Sequence, residues 1–155
     1  MKNIFIGSAS MLLLVGLSAC AGTPPEDLGV TNGQLKHCPT SPNCVSSQAG
    51  TEDERHFIAA IPYTGEKQDT LSRLLLVIQS MDRTKIAECA EGYLRVEFSS
   101  AHLGFVDDVE FYFPEASFIH VRSASRMGYG DLGVNRERIE RIKGLLEKNT
   151  KGDRK

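Results

Sequence analysis

Two stretches of period-two alternation, each able to fold back on itself, most constrain this chain. Residues 84–90 and 93–99 flank Glu91-Gly92, an X-Gly pair that tolerates positive φ and closes a two-residue hairpin. That loop length sets Ala90 against Tyr93, Cys89 against Leu94 and Glu88 against Arg95. Cys89 then shares a face with Leu94, Val96 and Phe98, which predicts a buried apolar thiol. Glu88 and Arg95 pair on the opposite, solvated face.

Residues 105–126 form the second hairpin. Phe105, Asp107, Val109, Phe111 and Phe113 share one face of the outgoing strand; Ile119, Val121, Ser123 and Ser125 share the apolar-leaning face of the return. A turn at Glu115-Ala116-Ser117 registers Phe111 with Val121, Val109 with Ser123 and Asp107 with Ser125. It also puts Glu110 opposite Arg122 and Tyr112 opposite His120 on the outer face. An exposed Glu110–Arg122 pair is expected to contribute only a few tenths of a kcal/mol.

Helical spacing supplies the second layer. Leu71, Leu74, Leu75 and Ile78 follow i, i+3, i+4, i+7, predicting a helix over 70–81 capped by Asp69 or Thr70. A last helix is predicted to begin with Asn135 as N-cap, Val134 and Ile139 forming a hydrophobic staple. Its buried stripe is Ile139, Ile142, Leu145 and Leu146. His56 to Ile61 reads as a short strand ended by Pro62. The expected fold is α+β: a four-stranded, mainly antiparallel sheet with two helices packed on one face, and room for an edge strand.

The N-terminus reads as an address. Lys2 precedes an apolar run from Ile4 to Val15 that is too short to span a bilayer. Leu17-Ser18-Ala19-Cys20 then has the pattern of a bacterial lipobox, in which Cys20 is lipidated and becomes the first mature residue. Two or more acyl chains anchor stably where one does not. Ala21, not Asp, follows Cys20, so the resemblance to envelope lipoproteins implies the outer membrane, with the domain facing the periplasm. The expected organisation is a signal peptide at 1–19, a lipidated flexible tether at 20–36, one domain at 37–148 and a disordered tail at 149–155. Removing the leader leaves 17 basic residues against 20 acidic, a net charge of −3. Nothing in that balance invites nucleic acid or an anionic bilayer surface.

Cys38 and Cys44 enclose Pro39-Thr40-Ser41-Pro42-Asn43, a turn-rich segment that brings two Cβ atoms together. In an oxidising envelope this favours a local disulfide. The alternative, a metal site from His37, Cys38 and Cys44, lacks a second Cys/His pair at finger spacing.

Two anomalies mark candidate chemistry. Asp107 places a carboxylate on the core face, facing Ser125, where it needs donors or a shifted pKa. It is either a satisfied structural carboxylate or a ligand-binding or catalytic acid. Arg136 and Arg138 occupy the first turn of the last helix, whose dipole disfavours cations. Backbone N–H groups there, with Arg136 and Arg126, could hold an anion; in the competing reading, Asp131 or Asp107 neutralises them in an ion-pair network. The polar cluster is thus Asp107, Ser123, Ser125, Arg126, Asp131, Asn135 and Arg136. No G-x-S-x-G elbow, P-loop, H-E-x-x-H or C-x-x-C occurs, and His37, His56, His102 and His120 lie far apart in sequence.

Three separated stretches carry a resemblance. Cys38 to Ser47, Gly104 to Phe111, and Val121 to Gly128 followed by Asp131 to Ile139 resemble the domain-of-unknown-function family DUF1499 over roughly residues 35–147. The resemblance implies a compact domain of this size, with no established activity, cofactor or substrate. Its motif residues here include Asp108, Glu110 and Arg122 beside the cluster above. The expectation is an envelope lipoprotein, without metal or cofactor, held to the membrane by its lipid. It would be a binding or structural module whose cluster takes an anionic small molecule, a lipid headgroup or an envelope protein. The alternative is an envelope hydrolase or transferase using Asp107 with Ser123 or Ser125.

Overall fold

The computed structural model describes residues 22–101 and 103–152. The leader, Cys20 and His102 lie outside the described residues. The elements run β1 (Cys44–Ser46), β2 (Ile61–Pro62), α1 (Lys67–Gln79), β3 (Thr84–Ala90), β4 (Tyr93–Ser99), β5 (Val106–Tyr112), β6 (Phe118–Ser125) and α2 (Val134–Gly152). The sheet is open and antiparallel, ordered β1-β6-β5-β4-β3, with β2 also pairing β6. It has six strands, not the four expected. β1 escapes a pattern-based reading because three residues show no period, and of the strand expected at His56–Ile61 only Ile61 falls in a strand, β2, which includes Pro62 instead of ending before it; pairing with β6 makes both strands. His56 lies outside any strand, although Phe57 bridges to Ser46.

The hairpin registers follow the alternation. Ala90, Cys89 and Glu88 face Tyr93, Leu94 and Arg95. Phe111–Val121, Val109–Ser123, Asp107–Ser125, Glu110–Arg122 and Tyr112–His120 all pair. Gly92 takes φ +72° at the tight turn, a conformation that favours glycine.

One face carries Leu94, Val96, Phe98, Val109, Phe111, Ile119, Val121 and Val45, which pack with Leu71, Leu74, Val77 and Ile78 of α1 and Ile139, Ile142 and Leu146 of α2. The helical layer lies toward the β1–β6 side, where α2 packs on both strands and α1 packs on α2. That placement corrects the reading of Cys89, which is exposed. Its register is as expected, but β3 is an edge strand with a bulge between Ile86 and Glu88, and all its positions are exposed or half-buried.

Both helix starts differ from expectation. α1 begins at Lys67 after Glu66, with no side-chain cap, because Lys67, Gln68 and Asp69 extend the turn upstream of the apolar stripe. In α2, Asn135 lies inside the helix and Asp131 caps it, accepting from the Gly133 N–H at 3.0 Å and the Asn135 N–H at 2.9 Å. Val134 is exposed and makes no buried staple. α2 continues through 149–152. Among the described residues no helix is long and apolar enough to cross a membrane.

Candidate functional site

The sheet's second face is the larger departure. Strand alternation brings Tyr93, Arg95 and Glu97 of β4, Asp108 and Glu110 of β5, and Arg122 of β6 to this side. Most of these charges are buried. Glu110 is fully so, and its carboxylate accepts from Tyr93 Oη at 2.9 Å, Arg122 Nη1 at 3.1 Å and the Gly29 N–H at 2.8 Å. Burial, then the Glu110 charge, pushes the Tyr93 phenol well above its usual range.

The expected solvated pair Glu110–Arg122 is therefore a buried one, with side chains 0% and 4% exposed. The cover comes from the segment before β1. Gly29 bonds Glu110, Leu35 is buried, and Pro25, Lys36, His37 and Pro39 wall a cavity over Asp108, Arg122 and Arg126. Residues 22–36, read as a tether, thus contribute a strap across the sheet. Its composition of proline, glycine and charge gave no periodic signal that it would pack.

Beside this pair runs a second chain of charges. Arg126 Nε donates to Asp108 Oδ2 at 2.7 Å, while its Nη2 donates to Asp108 Oδ1 at 2.8 Å and Glu97 Oε1 at 2.7 Å. These bonds lift the Arg126 pKa further above its ordinary value, chiefly through Asp108. The Arg126 bond, ahead of that from Lys85, holds the Glu97 carboxyl below its usual range against the cost of burial. Arg95 reaches Asp108 at 3.4 Å and lies 3.9 Å from Glu88.

The cluster predicted on the helix face divides. Asp107, Ser123, Ser125, Asp131 and Asn135 do converge. Asn135, fully buried, accepts at Oδ1 from Ser123 Oγ at 2.5 Å and Arg138 Nη1 at 2.7 Å. Its Nδ2 donates to the Asn43 carbonyl, Ser125 Oγ and Asp131 Oδ2 at 3.1, 3.0 and 2.8 Å. Burial works against ionisation of Asp131, but the bonds from Asn135 and Gly133 prevail and keep its carboxyl below the usual value.

Arg126 and Arg136 are elsewhere. The alternation that puts Ser123 and Ser125 toward the helices puts Arg126 on the other face. Arg136 donates to the carbonyls of Glu54 and Arg55. The partner of Asp107 is Arg138, whose Nη2 reaches Oδ2 at 2.5 Å and whose guanidinium lies over Phe98, 4.8 Å from the ring centroid. The sequence held that signal: Arg138 follows Asn135 by three positions, so both share one helix face.

Cys38 and Cys44 are disulfide-bonded, which commits both sulfurs and removes them as metal ligands in this state. The bond joins the strap to β1. Replacing Cys38 with Ser should cost roughly 2 kcal/mol of stability by chain entropy, read as a lowered urea midpoint; an unchanged midpoint would mean that Pro39 and Pro42 already close the loop. His56 Nδ1 lies 2.7 Å from Asp53 Oδ2, and its Nε2 lies 3.1 Å from the Ser41 carbonyl, so neither ring nitrogen faces a nucleophile.

With this geometry in hand, the comparisons decide the family. A family model described as a protein of unknown function, DUF1499, matches residues 34–146. The chain belongs to the DUF1499 family. No curated protein matches it. In this DUF1499 domain the matched span begins within the strap, just before buried Leu35, and ends at buried Leu146 of α2.

Proposed function

We propose that this DUF1499 protein is an envelope-anchored binding module, held by lipid at Cys20 to the outer membrane and facing the periplasm. Its ligand is a small anion taken between the strap and the second face of the sheet. Leu17-Ser18-Ala19-Cys20 supports the anchor, and the Cys38–Cys44 disulfide suits an oxidising compartment.

One observation carries the ligand reading. Arg122 is buried, yet its Nε is without a hydrogen-bond partner among the described residues, and Arg122 lines a cavity of about 210 Å³ together with Lys36, His37, Arg126 and the carboxylate of Asp108, which Arg126 neutralises. Lys36 is engaged by Asp27 and Arg126 by Asp108 and Glu97, whereas Arg122 Nε is a buried donor left unmade. Leaving a buried donor unmade is costly, and an oxyanion satisfies a guanidinium best. Pro25, Pro39 and Ala124 give the cavity apolar walls, and its size suits an inorganic anion, a short phosphate monoester or a small carboxylate.

The hydrolase reading draws no support from this geometry. Ser123 is wholly buried with its hydroxyl donated to Asn135, Asp107 is held by Arg138, and neither serine bonds a histidine among the described residues.

Titrating the full chain in neutral detergent with glycerol 3-phosphate should shift the Arg122 Nε–H resonance saturably. Arg122→Lys, which keeps a cation for Glu110 but lacks Nε, should weaken binding about tenfold or more. Equal binding by that variant, or a drift shared by every arginine, would overturn the assignment.

A further inference from the structure

The loop between β6 and α2 exposes an apolar surface that neither the core nor the anion cavity uses. Met127 and Val134 are about half exposed, Tyr129 is 75% exposed and Leu132 is 100% exposed. Leu132 also stands at φ +56°, in the left-handed region that a leucine rarely adopts. Gly133 follows at φ +84°, and Asp131 is tied back to the start of α2. The backbone therefore holds a large apolar side chain wholly in water instead of folding it under. Scattered apolar residues need no explanation, but three on one loop and a fourth opening the helix after it, within eight positions, do.

Gly22 ties the start of the described chain to the Met127 end of this loop. A Cβ built on Gly22 would stand 3.1 Å from Met127 Cγ and 3.0 Å from Arg126 Cβ, so the strap begins directly against this loop. Cys20 is two residues upstream, and two residues reach at most about 7 Å. Acyl chains on Cys20 would enter the bilayer beside Met127. A lipid surface held that close acts at high effective concentration, so a small apolar contact suffices. Tyrosine suits the polar–apolar boundary of a bilayer.

We propose that Met127, Tyr129 and Leu132 form a membrane-seating surface that rests in the lipid interface next to the anchored Cys20 and orients the domain on the bilayer. This rests on the anchoring proposed above, and the test separates the two. The chain has no tryptophan, so Tyr129→Trp supplies a lone reporter, with Leu76→Trp on the exposed side of α1 as control. Full acylated chain is reconstituted in phosphatidylethanolamine/phosphatidylglycerol vesicles, with and without lipids brominated near the headgroup. The expected result is blue-shifted emission from Tyr129→Trp that loses most of its intensity to brominated lipid, while Leu76→Trp keeps water-exposed emission. If mass spectrometry shows acylated Cys20 and the Tyr129→Trp emission stays unshifted, or shifts only when an envelope protein is added, the seating surface is wrong and the anchor stands. Absence of acylation in the cell envelope removes both.

Discussion

Arg122→Met should lower the stability of the domain by about 3–5 kcal/mol near neutral pH, the range for breaking a buried ion pair from one side. Methionine preserves much of the arginine's volume, so cavity formation contributes little and the loss reports charge. Glu110 keeps Tyr93 Oη and the Gly29 N–H, but its carboxylate is then fully buried without a cation. The double variant Arg122→Met, Glu110→Gln should recover much of the loss, because a neutral amide tolerates the site and the partner charge is gone. Urea unfolding of the four proteins of this cycle measures the coupling. A single-variant loss under about 1 kcal/mol would show the pair to be solvated, as expected of a bare outer face. Partial cleavage within residues 22–36 should reproduce part of the defect, since that segment excludes water from the pair.

Asn135→Ala is expected to cost about 3 kcal/mol. The substitution favours the helix intrinsically, so any loss comes from the polar network. One amide serves five partners: Ser123 Oγ, Arg138, the Asn43 carbonyl, Ser125 Oγ and Asp131. With the amide gone, the wholly buried Ser123 hydroxyl loses its acceptor, and an unmade buried bond costs about 1–3 kcal/mol. Asp131 loses one of the donors that hold its carboxyl low. A group with a depressed folded pKa stabilises above its unfolded pKa, and that stability is lost as pH falls through the folded value. Weakening the depression shrinks this contribution, so the deficit of the variant against the parent should be largest near neutrality and narrow in acid. Thermal unfolding across pH 3–7 reads both the size and the narrowing. A deficit that does not change with pH would place Asp131 outside the network.

The polar cluster at the second hairpin and last helix was legible in outline. Asp107 facing Ser125 follows from alternation plus one turn length, and Asn135 from its place at the start of a periodic helix. The choice of arginine was legible in part: strand parity turns Arg126 to the other face and helix phase sets Arg138 beside Asn135, but Arg136 is drawn off by the carbonyls of Glu54 and Arg55, 82 and 81 positions away in the chain. Cys89 shows a matching limit. Its face is set by register, but its burial depends on whether a helix extends over the edge strand.

Local chemistry alone determined the hairpins, their pairing and the two helices of this α+β domain. Each depends on residues near one another, where a turn length or a turn of helix leaves one arrangement. Tertiary structure decided that β1 and β2 complete the sheet, that the strap covers its second face, and hence that Glu110 and Arg122 are buried. Burial of a charge is a property of what lies above it. Here the cover is proline, glycine and polar residues, whose packing has no period to announce it, with Gly29 contacting Glu110 from 81 positions away.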